Sequence, residues 1–323
     1  MPAKMTPNPS ARLEKADGRR LLPPFKVFFT WDLQYSCNYR CTYCLVFESP
    51  QWESVLAKKD RTIPAERWME IWDDIYARYG STHIHCSGGE PFHYPRIIDI
   101  LAHITPKHSM ECDTNLSFDV ADFIGRVKPG TFRFSPAFHP QFAVLEPYVE
   151  KCRRLREAGY DLQGVNFVCW PPHLKQIPDL KKAFDGIGVV LTLMPFRGRF
   201  EGRDYPDAYS PEERRFINSH SGNPVLSEDY GSWYQGGNQG GENHTRQAAL
   251  CRAGQMYAKI HPDGTALRCC FIDDRGRIGN LIDGTFRLSD EPRPCEFPAC
   301  SCWKCMIVGE EDRWLRHWRG VAA

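Results

Sequence analysis

Three cysteines, Cys37, Cys41 and Cys44, stand within eight residues at C-x3-C-x2-C spacing. They follow the apolar, aromatic run 26–31, which predicts a buried β-strand. A loop therefore presents three thiolates at the C-terminal end of a strand. Each thiolate can bind one iron of a 4Fe-4S cube, and one iron stays open because such a cube normally takes four cysteines. As in catalytic metal sites, the open position is where an exogenous ligand would bind.

A zinc site or a set of buried cysteines is the alternative for this loop. Zinc sites prefer paired C-x2-C units with a fourth ligand nearby, which the loop lacks. The chain has fourteen cysteines, no signal peptide and no apolar run long enough to span a bilayer. This composition predicts a cytoplasmic protein whose thiols serve metal or redox chemistry, without a membrane partner. Lysine plus arginine (41) nearly balance aspartate plus glutamate (40), which argues against a nucleic-acid partner.

Strand and helix patterns alternate after the cysteine loop. A helix that begins at Pro64 and ends at Gly80 carries apolar residues at helical spacing. Further strands are predicted at 82–86, 109–113, 132–135, 165–169 and 189–194, and further helices at 95–104, 120–127, 145–158 and 174–184. Six such steps predict an α/β fold with a parallel sheet, curled into a partial (β/α)6 TIM-like barrel. The working face of such a barrel lies at the C-terminal ends of its strands.

The cysteine spacing, with the aromatic Tyr43 before the last cysteine, resembles the signature of the radical S-adenosylmethionine (SAM) superfamily. In that family, SAM chelates the open iron of a 4Fe-4S cluster, and an electron from the cluster cleaves SAM to a 5′-deoxyadenosyl radical. The resemblance implies that Cys37, Cys41 and Cys44 are the cluster ligands and catalytic residues. It also implies that Tyr43 lies at SAM and that the electron donor is a protein such as flavodoxin or ferredoxin.

Gly88, Gly89 and Glu90 follow the second predicted strand. Paired glycines let a backbone approach a ligand closely, and a neighbouring carboxylate can bind an ammonium group. An ordinary turn between strand and helix is the alternative. The position resembles the Gly-Gly-Glu motif of the same superfamily, and the resemblance assigns these residues to the amino group of SAM.

Other polar residues end later strands. By resemblance, Asn115 and Ser135 are candidate contacts to the carboxylate and ribose of SAM; the alternative is that they form turns that cap the next helix. His139 could bind substrate or move a proton, or it could be structural. Arg197 and Arg199 could clamp a carboxylate or phosphate, with solvated surface charges as the alternative.

Seven of the fourteen cysteines lie between Cys251 and Cys305. Two segments, 256–260 and 265–268, flank the turn residues 262–264, so a β-hairpin is predicted to bring Cys251 and Cys269 together. The C-x12-G-x4-C pattern resembles the SPASM/twitch extension of radical SAM enzymes, which houses one or two auxiliary 4Fe-4S clusters. The resemblance implies that one auxiliary cluster is held by Cys251, Cys269, Cys302 and Cys305.

A closed zinc site is the alternative for these four cysteines, because four thiolates also suit tetrahedral zinc. The three further cysteines leave a second auxiliary cluster one ligand short, and the order of the seven departs from that of SPASM domains. The ligand set can therefore shift by one cysteine; the three further cysteines are Cys270, Cys295 and Cys300.

Four regions follow from these patterns: a mobile tail (1–24), the radical SAM partial barrel (25–196), a Gly/aromatic-rich connecting loop over the active site (197–246), and a small SPASM/twitch-like iron-sulfur domain with a β-hairpin and cysteine-rich loops (247–323). Within the connecting loop, a helix is predicted at 211–219, with Ser210 and Glu213 as a capping box.

The expected function is removal of a hydrogen atom from a small-molecule substrate, as part of a two-electron oxidation aided by the auxiliary cluster. A small molecule is favoured because the tail of 24 residues is too short for a peptide-recognition domain. Modification of a peptide presented by a partner is the alternative. From another class, the chain could be a non-catalytic iron-sulfur or zinc-binding module.

Overall fold

A computed structural model describes residues 27–44, 59–221, 249–270, 276–295 and 308. Several predictions from the sequence fall outside these residues and are not addressed by the structure. They concern the tail 1–24, much of the connecting loop, and the cysteines Cys300, Cys302 and Cys305.

Parallel strands form the centre of the fold, as predicted. They are β1 (Phe28–Gln34), β2 (His83–Gly88), β3 (Ser109–Thr114), β4 (Phe132–Pro136) and the short β5 (Asp161–Leu162), which pair in that order. A second parallel pair, β6 (Val165–Cys169) and β7 (Leu191–Pro195), continues from the end of β4 through a bridge between Ala137 and Asn166. The result is the α/β partial barrel that the alternating pattern predicts.

Six helices are described, and the first five lie between barrel strands. They are α1 (Ala65–Tyr79), α2 (Ile97–Ile104), α3 (Val120–Arg126), α4 (Leu145–Glu157), α5 (Ile177–Asp185) and α6 (Pro211–His220), with short 3-10 helices at Pro91–His93 and Pro171–Gln176. Helix α1 begins after Pro64 and ends at Gly80, as predicted. The capping box of α6 is also confirmed. The Ser210 side chain accepts from the Glu213 backbone N–H, and the Glu213 carboxylate accepts from the Ser210 backbone N–H.

The segment after β7 differs from the predicted loop. Strands β8 (Gly198–Phe200) and β9 (Arg203–Tyr205) form a small antiparallel hairpin. Its two central residues, Glu201 and Gly202, have φ of 49° and 75°, the positive values that a tight hairpin turn requires. Arg199, which the sequence suggested could bind a carboxylate or phosphate, donates across this turn to the Gly202 carbonyl at 3.4 Å.

The predicted C-terminal hairpin is confirmed, but its place in the fold was not foreseen. The strands of this region are β10 (Leu250–Cys251), β11 (Tyr257–Ile260), β12 (Thr265–Leu267), β13 (Arg277–Asn280) and β14 (Arg293–Pro294). Strands β11 and β12 are antiparallel, with Ile260 opposite Ala266. Strand β11 also lies parallel to β1, with Thr30 opposite Lys259. The hairpin therefore extends the barrel sheet, in the order β13-β12-β11-β1-β2-β3-β4-β5.

One hydrophobic core unites the barrel and the C-terminal hairpin. Trp31 of β1 packs against Trp68 and Trp72 of α1, with ring centroids 4.8 and 5.2 Å apart. Phe29 contacts Phe286 from the C-terminal region at 6.0 Å. Burial of large aromatic rings of this kind stabilises both parts together. In the described part of the chain, no helix has the length and apolar character that crossing a bilayer requires.

Candidate functional site

The concave face of the barrel sheet is polar. Side chains alternate along a strand. In β1, Trp31 therefore faces the helices together with Phe29 and Leu33, while Thr30 and Asp32 face the concave side. On that side His85 of β2 lies beside Glu111 of β3, and Asp113 follows one step towards the C-terminal edge. Barrels of this type are usually filled by branched apolar side chains. This one offers a charged surface at the edge where the cysteine loop begins.

The charged residues of this face are paired with one another. His85 Nε2 lies 2.9 Å from Asp113 Oδ2 and 3.9 Å from Glu111 Oε1, and the Ser87 hydroxyl also donates to Asp113. Burial would raise the pKa of each carboxyl, but the neighbouring histidines hold the pKa of both Glu111 and Asp113 below its usual range. The ligand atoms of His85, Glu111 and Asp113 lie within 4.8 Å of one another, and their mutual contacts account for that spacing.

The three N-terminal cysteines lie on one loop directly after β1. Cys41 is buried, whereas Cys37 and Cys44 are partly exposed. The Cys44 backbone N–H donates to the Cys41 carbonyl at 3.1 Å, and the Tyr39 N–H donates to Cys37 Sγ at 3.3 Å. Burial, together with the adjacent Cys44 and Cys37, raises the pKa of Cys41 to about 12. The loop thus gathers three thiols whose ionised forms need a positive centre.

The Gly-Gly turn presses against the start of the cysteine loop. A Cβ at Gly88 would lie 2.1 Å from the Gln34 carbonyl oxygen, and one at Gly89 would lie 2.1 Å from that of Ser36. The Gly89 N–H donates to Gln34 at 2.8 Å and the Glu90 N–H to Ser36 at 3.0 Å. The glycines therefore allow a close approach to the backbone that leads into the first cysteine, while the predicted approach to a ligand stays a prediction.

Glu90 joins this turn to the end of β3. Its side chain is 1% exposed. Its carboxylate accepts from the Phe92 N–H at 3.0 Å, the Thr114 hydroxyl at 2.8 Å and the Asn115 N–H at 2.7 Å. Burial raises the pKa of Glu90 to about 7, although the two N–H groups oppose that rise. Oε2 accepts one of these bonds and keeps capacity for another donor.

Asn115 and Ser135 lie near the same edge of the sheet. Asn115 Oδ1 accepts from the Ser117 N–H at 2.9 Å, as in an Asx turn, although Asp119 and not Asn115 caps the next helix. Its Nδ2 donates to Asn38 Oδ1 at 2.9 Å and lies 4.0 Å from Cys37 Sγ, so the same side chain also reaches the cysteine loop. Ser135, opposite Asp113 in the sheet, accepts from Asn166 at 3.1 Å.

A second set of contacts holds the far half of the cysteine loop, and the sequence did not reveal it. Gln141, in the loop between β4 and α4, accepts from the Thr42 N–H at 2.9 Å and donates to the Thr42 hydroxyl at 2.7 Å. The Tyr43 hydroxyl lies 3.1 Å from His139 Nδ1. Burial lowers the pKa of His139 to about 4, so this histidine is neutral at neutral pH. It serves here as a partner of Tyr43, two residues before the unsuspected Gln141.

Asp60 is a further residue that the sequence gave no reason to single out. It accepts from the Tyr35 N–H at 3.0 Å and from the Ser36 hydroxyl at 2.8 Å. The start of the cysteine loop is therefore bonded on one side to Asp60 and on the other to the Gly-Gly turn.

Three segments that carry C-terminal cysteines converge. Cys251 in β10 is opposite Arg293 in β14, and the Cys295 N–H donates to the Ala249 carbonyl at 2.7 Å. Arg268, next to Cys269, donates to the carbonyls of Ala253 and Pro294, each at 3.3 Å. Cys251, Cys269 and Cys295 thus belong to adjoining strands and turns. Cys302 and Cys305 lie outside the described residues, so their predicted role stays a prediction.

Comparisons with known proteins agree with this geometry. A family model described as the radical SAM superfamily matches residues 31–177. Mycofactocin maturase MftC from Mycobacterium ulcerans is 23% identical over 282 residues, covering 80% of this chain and 73% of the relative. The protein of the same name from Mycolicibacterium smegmatis is 23% identical over 300 residues, covering 86% and 73%.

Among solved structures, one described as histidine-tagged anSMEcpe with bound AdoMet has a TM-score of 0.50 at 13% identity, covering 80% of this chain and 79% of that one. At this identity the likeness concerns the fold alone, and it matches the partial barrel described above.

Proposed function

Because a radical SAM superfamily model matches residues 31–177, we propose that the chain belongs to this superfamily and is an enzyme that cleaves SAM reductively and modifies a peptide. The gathering of Cys37, Cys41 and Cys44 on one loop beside a polar barrel face carries this proposal. The cysteines would hold a 4Fe-4S cluster, which supplies the electron that splits SAM into methionine and the 5′-deoxyadenosyl radical that takes a substrate hydrogen.

The donor set fits such a cluster. Three soft thiolates suit iron, and a cube that takes three cysteines has one iron left for the amine and carboxylate of SAM. All three cysteines stand on one loop, within which the Cys44 N–H donates to the Cys41 carbonyl at 3.1 Å. A positive centre among them would reverse the rise in pKa and keep the sulfurs ionised.

The surrounding residues have definite tasks in this proposal. Gly88 and Gly89 fix the start of the loop, and Gln141 fixes its second half. Glu90 orients the end of β3, and its Oε2 has room to accept from the amino group of SAM. Tyr43 would lie against SAM with its ring held by His139.

Asn115 and Ser135 are the proposed polar contacts of SAM at the strand ends. Both are buried at the C-terminal edge of the sheet, on the side of the cysteine loop. An auxiliary cluster on Cys251, Cys269, Cys302 and Cys305 would accept an electron from the substrate radical and make the reaction a two-electron oxidation. The adjoining position of Cys295 makes it an additional candidate ligand. An electron donor such as flavodoxin or ferredoxin, and a reducing cytoplasmic location, complete the proposal.

The relatives favour a peptide over the small molecule that the sequence first suggested. The matching proteins that cover 80–86% of this chain are maturases, which convert a precursor into its mature form. The argument for a small molecule depended on the tail 1–24, which lies outside the described residues. A peptide presented by a partner is therefore the preferred substrate class.

Anaerobic reconstitution and incubation with SAM and a strong reductant test the cleavage. The wild-type protein should bind about eight irons for two clusters or about four for one, and should release 5′-deoxyadenosine. Cys41→Ala should abolish this release because it removes one cluster ligand. Cys152→Ala is the matched control, since Cys152 is fully buried in α4, away from the loop. Release by Cys41→Ala at the wild-type rate would refute the assignment.

The substrate class is tested with a cell extract divided by ultrafiltration. The retentate, which contains peptides and their partners, should increase 5′-deoxyadenosine formation above the substrate-free rate. An increase with the low-molecular-weight filtrate alone would instead support a small-molecule substrate.

A further inference from the structure

The C-terminal hairpin places a lysine on the concave face of the barrel. Strand β11 pairs with β1 so that Lys259 lies opposite Thr30, and both point to the same side of the sheet. Asp32, two residues after Thr30, also lies on this side. Lys259 Nζ is 2.9 Å from Asp32 Oδ2. The C-terminal part of the chain thus provides the cation for a carboxylate of the first barrel strand.

Asp32 depends on this cation. The Asp32 side chain is only 8% exposed, and the Lys259 side chain 24%. Among the residues that the structure describes, Lys259 is the one cation in salt-bridge contact with Asp32. Burial lowers the pKa of Lys259, but the Asp32 carboxylate more than offsets this, so the pKa stays above its usual value. A buried carboxylate that loses its cation is strongly disfavoured.

Asp32 in turn contacts the base of the cysteine loop. Its Oδ2 accepts from the Tyr35 hydroxyl at 3.0 Å. The same hydroxyl contacts Nδ1 of His261, two residues after Lys259 in the hairpin. Tyr35 stands two residues before Cys37. The hairpin therefore reaches the start of the loop through two side chains, one acting through Asp32 and one directly.

We propose that Lys259 is a positioning residue for the cysteine loop: its ammonium holds the Asp32 carboxylate beneath Tyr35 and so fixes where the loop begins. This inference rests on the proposed use of the loop to hold a cluster and SAM. Lys259 is not a cluster ligand, so its removal should leave iron binding intact and impair the reaction of SAM. The C-terminal region thereby has a task in the barrel site that is separate from holding an auxiliary cluster.

Three variants test the charge pairing in the full-length, anaerobically reconstituted protein. Lys259→Met keeps the length of the side chain and removes the charge, Lys259→Arg keeps the charge, and Lys259→Met combined with Asp32→Asn removes both charges. Lys181→Met is the matched control, because it breaks a lysine–aspartate pair on the exposed surface of α5. Iron content, KM for SAM, kcat for 5′-deoxyadenosine formation and the thermal midpoint are measured for each.

Lys259→Met should keep the wild-type iron content and lose about tenfold to a hundredfold in kcat/KM for SAM, because the start of the loop is displaced. Lys259→Arg should retain most of the activity. The double variant should be more active and more stable than Lys259→Met, since the asparagine that replaces Asp32 carries no charge that needs a partner and can still accept from Tyr35. Lys181→Met should match the wild type.

A double variant no better than Lys259→Met would overturn the inference, as would wild-type kinetics in Lys259→Met. If the wild-type protein releases no 5′-deoxyadenosine, the proposed function fails instead. In that case the thermal midpoints test only whether Asp32 needs the charge of Lys259. If the midpoint drops in Lys259→Met and does not recover in the double variant, the proposed charge pairing is rejected.

Discussion

Replacement of Gly89 by alanine measures how tightly the Gly-Gly turn holds the cysteine loop. An ideal Cβ at position 89 would lie 2.1 Å from the Ser36 carbonyl oxygen and 2.6 Å from that of Tyr35. Both obstacles are backbone atoms, so no flexible side chain can give way. Because real Cβ contacts stay beyond 3.0 Å, the two backbone segments must separate by about 1 Å.

The cost follows from the contacts that this separation breaks. The Gly89 N–H to Gln34 and Glu90 N–H to Ser36 hydrogen bonds, of 2.8 and 3.0 Å, would be lost. At about 1 kcal/mol for each bond and about 1–3 kcal/mol for overpacking, the free energy of unfolding should fall by about 3–5 kcal/mol. For a chain of 323 residues, that corresponds to a drop of roughly 4–7 °C in the thermal midpoint.

The assay compares thermal midpoint, iron content and 5′-deoxyadenosine formation in reconstituted Gly89→Ala and wild-type protein. Because Ser36 directly precedes Cys37, a displacement of about 1 Å should also slow SAM cleavage by about a hundredfold. Gly125→Ala is the matched control: Gly125 lies in α3 with open space around its Cβ position. Its midpoint should stay or rise, because alanine favours a helix. A Gly89→Ala protein with wild-type midpoint and rate would refute the reasoning.

Two further predictions concern side chains of the site. Burial raises the pKa of Glu90 from 4.5 to about 7, so the folded metal-free protein binds this proton more tightly than the unfolded chain, and its thermal midpoint should fall as pH rises through that range. Glu90→Gln should remove this fall; equal falls in both proteins would contradict the argument. Gln141→Ala removes both bonds to Thr42 and should lower the free energy of unfolding by about 1–2 kcal/mol. It should also slow SAM cleavage without loss of iron, whereas the exposed Gln163→Ala should change neither.

Local patterns in the sequence predicted the elements of the barrel well. Pro64 and Gly80 delimit α1, and Ser210 with Glu213 forms the capping box of α6, because these residues act on backbone groups within one turn. Alternation of strands and helices was sufficient for the parallel sheet. The β8–β9 hairpin was missed because Glu201-Gly202 is not one of the turn pairs that usually mark a hairpin.

Pairings between distant parts of the chain were not predictable in the same way. The register of β11 beside β1 depends on side-chain packing in the finished core, and no local periodicity specifies which strand a hairpin joins. Gln141 and Thr42 are 99 residues apart, and neither stands in a pattern that points to the other. The sequence therefore located the cysteines, the Gly-Gly turn and His139, but not Gln141, which holds Thr42 in the second half of the loop.

Whether a contact to the cysteine loop could be predicted from the sequence depends on which groups make that contact. Where backbone contacts backbone, as at Gly88 and Gly89, only glycine fits, so the contact can be predicted from the glycines in the sequence. Where a polar side chain holds the loop, as Gln141 does, several residue types could make the hydrogen bond. The sequence alone then does not identify the residue that makes it. The Lys259–Asp32 pair is intermediate: a buried carboxylate requires a cation, but the cation can come from any strand that reaches it. It comes here from the hairpin, so the barrel site is complete only when the C-terminal region has folded against β1.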